Sequence, residues 1–99
     1  MSYKLLFKAD ALKEWNSLDN SIRKQFLTKL KERIINPHVE SSRLSGMKNC
    51  YKIKLRSSGY RLVYVVRDSQ LIVSVVAVGK RERNLVYKTA IKRGRPKND

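Results

Sequence analysis

Residues 50–67 read CYKIKLRSSGYRLVYVVR, and this stretch decides the fold of the 99-residue chain. Apolar and basic residues alternate from Tyr51 to Arg56, which is the period of a β-strand with one buried face. A second apolar run follows from Tyr60 to Arg67, after a short segment of serine and glycine. The two runs therefore predict an antiparallel hairpin.

The register of this hairpin follows from sorting its side chains. Paired residues share a face, and a slip of one residue moves every side chain to the opposite face. A three-residue loop would set Lys54 across from Leu62 and mix charge into the apolar face. A loop with an even number of residues pairs Lys54 with Arg61 and sorts both strands. The predicted apolar face comprises Tyr51, Ile53, Leu55, Tyr60, Leu62, Tyr64 and Val66, and the basic face carries Lys52, Lys54, Arg56 and Arg61.

The rest of the chain predicts elements that surround the hairpin. Alternation predicts a strand at 3–7, and helical spacing of apolar residues predicts helices at 10–18 and 20–34. A further strand is predicted at 71–78, ended by Gly79, and a short helix at 84–93. The order indicates an α+β domain with a helix hairpin packed on one face of a mainly antiparallel four-stranded sheet and a short C-terminal helix. All helices are expected on that one face.

Two smaller expectations concern the chain ends and the helix surfaces. Residues 1–93 are predicted to form a single domain, and residues 94–99 a basic, disordered tail. The solvent side of the second helix is predicted to carry Arg23, Lys24, Lys29, Lys31, Glu32 and Arg33.

Charge points to an anionic partner. Lysine and arginine number 23 against 8 acidic residues, a net charge of +15, and residues 41–99 alone carry 15 basic and 3 acidic residues. Such a surplus opposes folding through self-repulsion. A phosphate between Lys52, Lys54 and Arg61 would neutralise it on the basic face. The alternative is that these side chains splay into water without a ligand.

Several functional classes are excluded by what the sequence lacks. Cys50 is the single cysteine, so no internal disulfide is expected, and burial as a small apolar residue is its favoured role. His38, expected to lie exposed in a loop, is the only other soft ligand, so neither a metal site nor a cofactor is predicted. Because the tyrosines are predicted to face the core, the sheet is not expected to offer aromatic rings on which RNA bases could stack. No signal peptide or membrane span is visible, which predicts an intracellular protein without membrane partners.

RNA cleavage through the ribose 2′-hydroxyl requires a base, a proton donor and cations for the charged phosphorane. The chain offers no His and Glu pair for the first two tasks. The candidates that remain are Tyr87, Lys52, Lys54, Arg61 and Arg81. Either Tyr87 or Lys54 is a candidate base, whereas Arg81 is a poor donor because a guanidinium hardly gives up its proton. Such an enzyme is expected to be slow unless something else orients the RNA.

Residues 46–47, 50–64, 78–83 and 86–87 resemble the RelE toxins of the RelE/ParE toxin–antitoxin superfamily, as do residues 11–15 of the first helix. The resemblance covers roughly residues 2–93 and implies a microbial RNase-like fold. It also implies a metal-independent, ribosome-dependent endoribonuclease, an mRNA interferase that cuts the codon in the ribosomal A site. The family's catalytic positions fall on Lys52, Lys54, Arg61, Arg81 and Tyr87, and RNA contacts on Lys52, Lys54, Arg56, Arg61, Lys80 and Arg83.

The resemblance also implies partners. They are a cognate RelB-type antitoxin, the 70S ribosome with its 16S rRNA, and mRNA, all in the bacterial cytoplasm. Operator DNA would be bound only through the antitoxin complex. Two alternatives stay open: a gyrase-inhibiting toxin of the ParE branch, which shares the fold, and an RNA-binding or ribosome-associated protein without catalysis.

Overall fold

The computed structural model describes residues 2–80 and 85–94. Residues 81–84 and 95–99, which include Arg81, Arg83 and nearly all of the predicted tail, lie outside the described residues, and the single-domain boundary at residue 93 stays a prediction. The elements are β1 (Lys4–Phe7), α1 (Ala9–Asn16), α2 (Asn20–Arg33), β2 (Cys50–Leu55), β3 (Tyr60–Arg67), β4 (Ile72–Lys80) and α3 (Leu85–Gly94).

The four strands form one sheet in the order β1-β4-β3-β2. β2, β3 and β4 are antiparallel neighbours, and β1 joins β4 in parallel. The hairpin has the predicted register, with Lys54 opposite Arg61 and Tyr51 opposite Tyr64. Gly59 closes its loop at φ +78°, a conformation that side chains disfavour. The α+β class and the mainly antiparallel sheet are therefore confirmed.

The first core lies between the sheet and the hairpin of α1 and α2. Phe26 and Tyr64 are completely buried there, and Trp15 of α1 packs its ring 6.2 Å from that of Phe26. The tyrosines of the hairpin do face inward as predicted, with Tyr51 stacked 5.6 Å from Tyr64. Neither ring is available to stack on a base.

A second core covers part of the opposite face, where the prediction that all helices share one face is wrong. α3 lies there, and its Val86 and Ala90 pack against Val63 and Ala77 of the sheet. β4 also continues to Lys80 rather than ending at Gly79, because Gly79 pairs with Arg61 of β3. A side chain at Gly79 would meet Val86 at 3.1 Å, so this glycine lets α3 approach the strand.

Cys50 belongs to this second core, and its titration provides a test of the packing. Burial raises the pKa of its thiol to about 11, whereas an unfolded chain releases that proton near pH 8.5. Between these values the unfolded state alone loses the proton, so the thiol's contribution to stability must fall as pH rises, by up to about 1.4 kcal/mol per pH unit. We expect urea titrations to show a shallower alkaline loss of stability for Cys50→Ala than for the wild type. Equal slopes would contradict a buried thiol.

Candidate active site

The candidate active site lies on the sheet face opposite the α1–α2 hairpin. The alternation of β2 directs Lys52 and Lys54 to this face, and the register brings Arg61 of β3 directly across from Lys54. Lys54 is exposed and Lys52 half-buried. Like charges at neighbouring positions on a sheet repel one another. Of the four residues predicted on the basic face, the strand pairing places Lys52, Lys54 and Arg61 there, and their roles in a site stay a prediction.

Arg61 is the most unusual of the three because only 7% of its surface is exposed. Its Nη1 donates a hydrogen bond to the backbone oxygen of Tyr60 at 3.1 Å. Within residues 2–80 and 85–94, its buried Nε has no hydrogen-bond partner, and none of the ion pairs includes Arg61. A buried cation without an anion opposes folding. The site therefore holds a positive charge that a bound anion would stabilise.

Tyr87 reaches the same face from α3. Its ring lies 5.6 Å from Nζ of Lys52, and it packs against the second core. The Tyr87 hydroxyl is buried, and among the described residues it has no hydrogen-bond partner. Buried hydroxyl groups are normally paired, and the exceptions call for an explanation such as a ligand or a catalytic role. Tyr87 and Arg61 each present one unpaired polar atom within this part of the fold.

A bidentate ion pair fixes α3, and with it Tyr87, to the rest of the domain. Nη1 and Nη2 of Arg93 donate to the two carboxylate oxygens of Glu14 in α1, at 2.9 and 3.1 Å. This contact raises the pKa of the Arg93 guanidinium. The pair also bonds the backbone of β4 beyond the end of β1, since Arg93 donates to the oxygen of Val76 and Glu14 accepts from the N–H of Val78. The position of α3 is thus set by polar contacts as well as by packing.

Not every predicted residue joins the cluster. Lys80 pairs with Tyr60 and places its Nζ 5.9 Å from that ring, so its side chain lies on the first-core side of the sheet. Arg56 is exposed in the β2–β3 turn. Arg81 and Arg83 lie outside the described residues. The structure therefore unites Lys52, Lys54, Arg61 and Tyr87, but it does not bring Lys80 to them.

Arg33 is a neighbour of the site that the sequence analysis missed. It was expected on the solvent side of α2, yet it is half-buried and its Nη1 donates to the Tyr64 hydroxyl at 2.9 Å. The same nitrogen lies 3.4 Å from the backbone oxygen of Lys52. Because Arg33 ends α2, helical periodicity alone does not show which strand it will meet. An arginine among lysines at a helix end near a predicted basic strand is the only signal the sequence offered.

His38 is exposed, as predicted, but it is not without partners. Its Nδ1 lies 2.8 Å from the Tyr51 hydroxyl, and its Nε2 lies 2.8 Å from Oδ1 of Asp68. Hydrogen bonds from His38 and Tyr3 lower the pKa of the Asp68 carboxyl. These contacts tie the β1 end, the loop after α2 and the β3–β4 turn together, on the first-core side. His38 is therefore accounted for structurally.

The chemistry available at this face is that of cations and a phenol. Nowhere in residues 2–80 and 85–94 do three or more His, Cys, Asp or Glu side chains gather so as to hold a metal ion. Guanidinium and ammonium groups bind phosphate through charge-assisted hydrogen bonds. The arrangement can bind a phosphate between Lys52 and Arg61 and present a hydroxyl beside it.

None of the described helices combines the length and apolar character needed to cross a membrane.

Comparison with known proteins is consistent with this geometry. Residues 5–85 match the family described as the ParE toxin of the type II toxin–antitoxin system parDE. A RelE-like toxin protein of Escherichia coli is 59% identical over 95 residues, which are 96% of this chain and 100% of the relative. The mRNA interferase toxin RelE of Escherichia coli strain K12 is 54% identical over 93 residues, which are 94% of this chain and 98% of that protein.

Solved structures agree in fold. A mutant of the Escherichia coli toxin RelE in its free state superposes with a TM-score of 0.87 at 51% identity, covering 95% of this chain and 99% of that one. The toxin in the intact Escherichia coli RelBE toxin–antitoxin complex superposes with a TM-score of 0.80 at 52% identity, covering 83% and 100% of the two chains. The chain is therefore a member of the RelE/ParE family of type II toxin–antitoxin toxins.

Proposed function

We propose that this protein is the toxin of a type II toxin–antitoxin pair and that it cleaves mRNA in the A site of the translating ribosome. The observation that carries the proposal is the union of Lys52, Lys54, Arg61 and Tyr87 on one face, with no described carboxylate paired to Arg61. A relative that is 54% identical over nearly the whole chain is named an mRNA interferase. Both point to RNA phosphate as the ligand.

The proposed reaction is a transfer within the RNA. Tyr87, in its phenolate form and assisted by the neighbouring cation Lys54, accepts the proton of the ribose 2′-hydroxyl and becomes a neutral phenol, and the 2′-oxygen then attacks the adjacent phosphorus. The bond from phosphorus to the 5′-oxygen breaks, which leaves a 2′,3′-cyclic phosphate on one fragment. The departing 5′-oxygen takes up a proton, a step assigned by family resemblance to Arg81. No enzyme-bound covalent intermediate is needed.

The cations act on the charge that develops at phosphorus. Lys52, Lys54 and Arg61 would stabilise the phosphorane, and a group held in place before the reaction stabilises such charge most effectively. Arg61 suits this role because burial restricts its side chain. Its Nε is buried and has no partner among the described residues, so the positive charge of the guanidinium is not offset by a hydrogen bond at that atom.

The ribosome supplies what this set of residues lacks. A phenol and a guanidinium are weak proton carriers near neutral pH, so the rate must come largely from orienting the 2′-hydroxyl in line with the scissile bond. A ribosome holds the A-site codon in a fixed position. The net charge of +15 also suits contact with 16S rRNA, whose phosphates attract basic proteins. The site of action would be the bacterial cytoplasm.

A RelB-type antitoxin is the proposed regulator. Structures of relatives include the intact Escherichia coli RelBE complex and an Escherichia coli RelE mutant bound to a peptide of the antitoxin RelB. An antitoxin that covered the basic face would neutralise the cluster and block RNA. Operator DNA would be bound only through the antitoxin, because the antitoxin would already cover the basic face of the toxin.

Inhibition of DNA gyrase is the second candidate, because the family description that matches residues 5–85 names the ParE toxin. The two functions differ in what they ask of the basic face. Gyrase inhibition has no need for a tyrosine hydroxyl beside a phosphate site. Toxicity that survives loss of Tyr87 and Arg61 would favour the ParE-like function.

Primer extension on a defined message separates the candidates in one experiment. Purified toxin is added to the message alone, to the message on stalled ribosomes, and to the same ribosomes with antitoxin. The nuclease proposal predicts cuts in register with codons, only with ribosomes and only without antitoxin. A message that stays intact on ribosomes would reject it and leave the gyrase and simple binding functions.

A further inference from the structure

A basic cleft lies at the outer edge of β2, beside the candidate active site. β2 is an edge strand of the sheet. Between this edge, α2 and the turn at residues 40–42 lies a cavity of about 330 Å³, here called the β2-edge cleft. Its lining includes Lys29 and Arg33 of α2, Ser41 and Ser42 of the turn, and Arg56 of the β2–β3 loop.

Arg33 forms a rigid cation in this cleft. Its Nη2 donates to Oγ of Ser42 at 3.1 Å, and its Nη1 donates to the hydroxyl of Tyr64. The guanidinium also lies 5.7 Å from the centre of the Tyr64 ring. These contacts are all to neutral groups, and none of the ion pairs in the described residues includes Arg33. A fixed guanidinium without a carboxylate is suited to bind a planar or tetrahedral oxyanion.

The other cations of the cleft add to this preference. Lys29 and Arg56 are exposed, and neither takes part in an ion pair within the described ranges 2–80 and 85–94. Among the described residues no acidic side chain lines the cavity, and the one apolar lining residue found there, Ile53, is 1% exposed. A peptide partner normally inserts an apolar anchor into a pocket. The lining therefore fits a chain of phosphates better than a peptide.

The cleft is continuous with the candidate active site. Lys52 and Lys54 line it and also contribute to the cluster with Arg61. A nucleic-acid strand bound at the cluster would thus pass over the edge of β2 and enter the cleft. Because successive phosphates of one strand are a few ångströms apart, both places can hold phosphates of the same strand.

We propose that the β2-edge cleft is a second phosphate site, which binds the single-stranded RNA backbone beside the phosphate that is cleaved. It rests on the proposed function only for the statement that this RNA is cleaved. The Arg33 guanidinium and the Ser42 hydroxyl donate hydrogen bonds to the phosphate oxygens. Lys29 of α2 and Arg56 of the β2–β3 loop contact the same phosphate from either side. The site positions the strand and does not take part in the bond changes.

The test measures binding of a short 2′-O-methyl RNA, which cannot be cleaved, by fluorescence anisotropy at several salt concentrations. The affinity K falls as the salt concentration rises, and the magnitude of the decrease in log K per unit of log salt is here called the slope. Each phosphate contact that is lost lowers this slope by about 0.7 for a single strand. We expect Lys29→Ala and Arg56→Ala each to lower the slope by about this amount. Lys24→Ala is the matched control, since Lys24 is exposed on the same helix but outside the cleft.

The outcomes separate the two proposals. The cleft proposal is overturned if the slope falls equally for Lys29→Ala and Lys24→Ala, or if it falls for neither variant. This holds whether or not the toxin cleaves a message. A polyglutamate peptide that loses affinity for Lys29→Ala while the RNA slope is unchanged would overturn it too, in favour of a peptide site. If the slope falls selectively but the wild type leaves messages intact on ribosomes, the cleft stands and the nuclease proposal fails.

Discussion

Replacing Tyr87 by phenylalanine is expected to lower the rate of message cleavage on ribosomes about 100- to 10,000-fold, the usual contribution of a positioned proton carrier. The change removes one hydroxyl from the site and keeps the ring that packs against the second core. Within the described residues that hydroxyl has no hydrogen-bond partner, so its loss leaves no group unsatisfied there. Stability and ribosome binding should therefore stay close to wild type.

Single-turnover cleavage on stalled ribosomes measures this effect. Tyr60→Phe is the matched control, because Tyr60 is half-buried on the first-core side of the sheet. We expect the control to cleave at the wild-type rate. If Tyr87→Phe also does so, Tyr87 does not carry the proton, and Lys54 becomes the remaining candidate base.

Arg61→Met should separate activity from stability in opposite directions. Cleavage is expected to fall at least about 100-fold, because a buried cation held at the phosphate is lost. The free energy of unfolding is expected to stay level or to rise by about 1 kcal/mol, since an unpaired charge leaves the interior and methionine fills much of its volume. Replacing an ordinary buried side chain lowers the protein's free energy of unfolding. A variant of Arg61 that does not lower it would therefore mark this arginine as a residue retained for function.

Urea denaturation and the cleavage assay together decide this prediction. Arg67→Met is the matched control, because Arg67 is exposed at the end of the same strand, β3. It should alter neither quantity by much. A clear loss of stability in Arg61→Met with cleavage intact would mean that Arg61 supports the fold and not the reaction.

The register of the hairpin could be predicted because the charged side chains and the buried side chains must lie on opposite faces of the two strands. Only the pairing of Lys54 with Arg61 keeps the basic residues off the face that holds Tyr51 and Tyr64, and the structure has that pairing. The same argument places Lys52 beside them. Local alternation was sufficient here because the two faces of β2 differ strongly in polarity.

The second core was not predicted, although the sequence held a signal for it. Residues 62–66 are apolar at every position, and so are most of residues 71–78. A strand with one wet face alternates, whereas a continuous apolar run is typical of a strand buried on both faces. Val63 and Ala77 are indeed buried on the side of α3. The prediction assumed that β3 and β4 each have one solvent-exposed face, as β2 does. It therefore assigned α3 to the same face of the sheet as the other helices.

The position of Tyr87 depended on a different kind of information. Its place beside Lys52 follows from packing of α3 over β3 and β4 and from the Glu14 to Arg93 contact, both distant in sequence. No local pattern indicates such a contact. Residue chemistry and family resemblance both proposed Tyr87 as a site residue, and the structure brings it to the cluster. Arg33, with no precedent in the resemblance, became visible only once α2 and β2 were packed together.

The central claim is that this face cleaves RNA through the ribose 2′-hydroxyl. The most direct test places a single deoxyribose on the 5′ side of the phosphate that is cut, in a message held on the ribosome. We expect cleavage at this codon to stop, while the all-ribose message is cut there and yields a 2′,3′-cyclic phosphate. Cleavage that continues at the deoxyribose position would contradict the claim, because the attacking oxygen would then come from elsewhere.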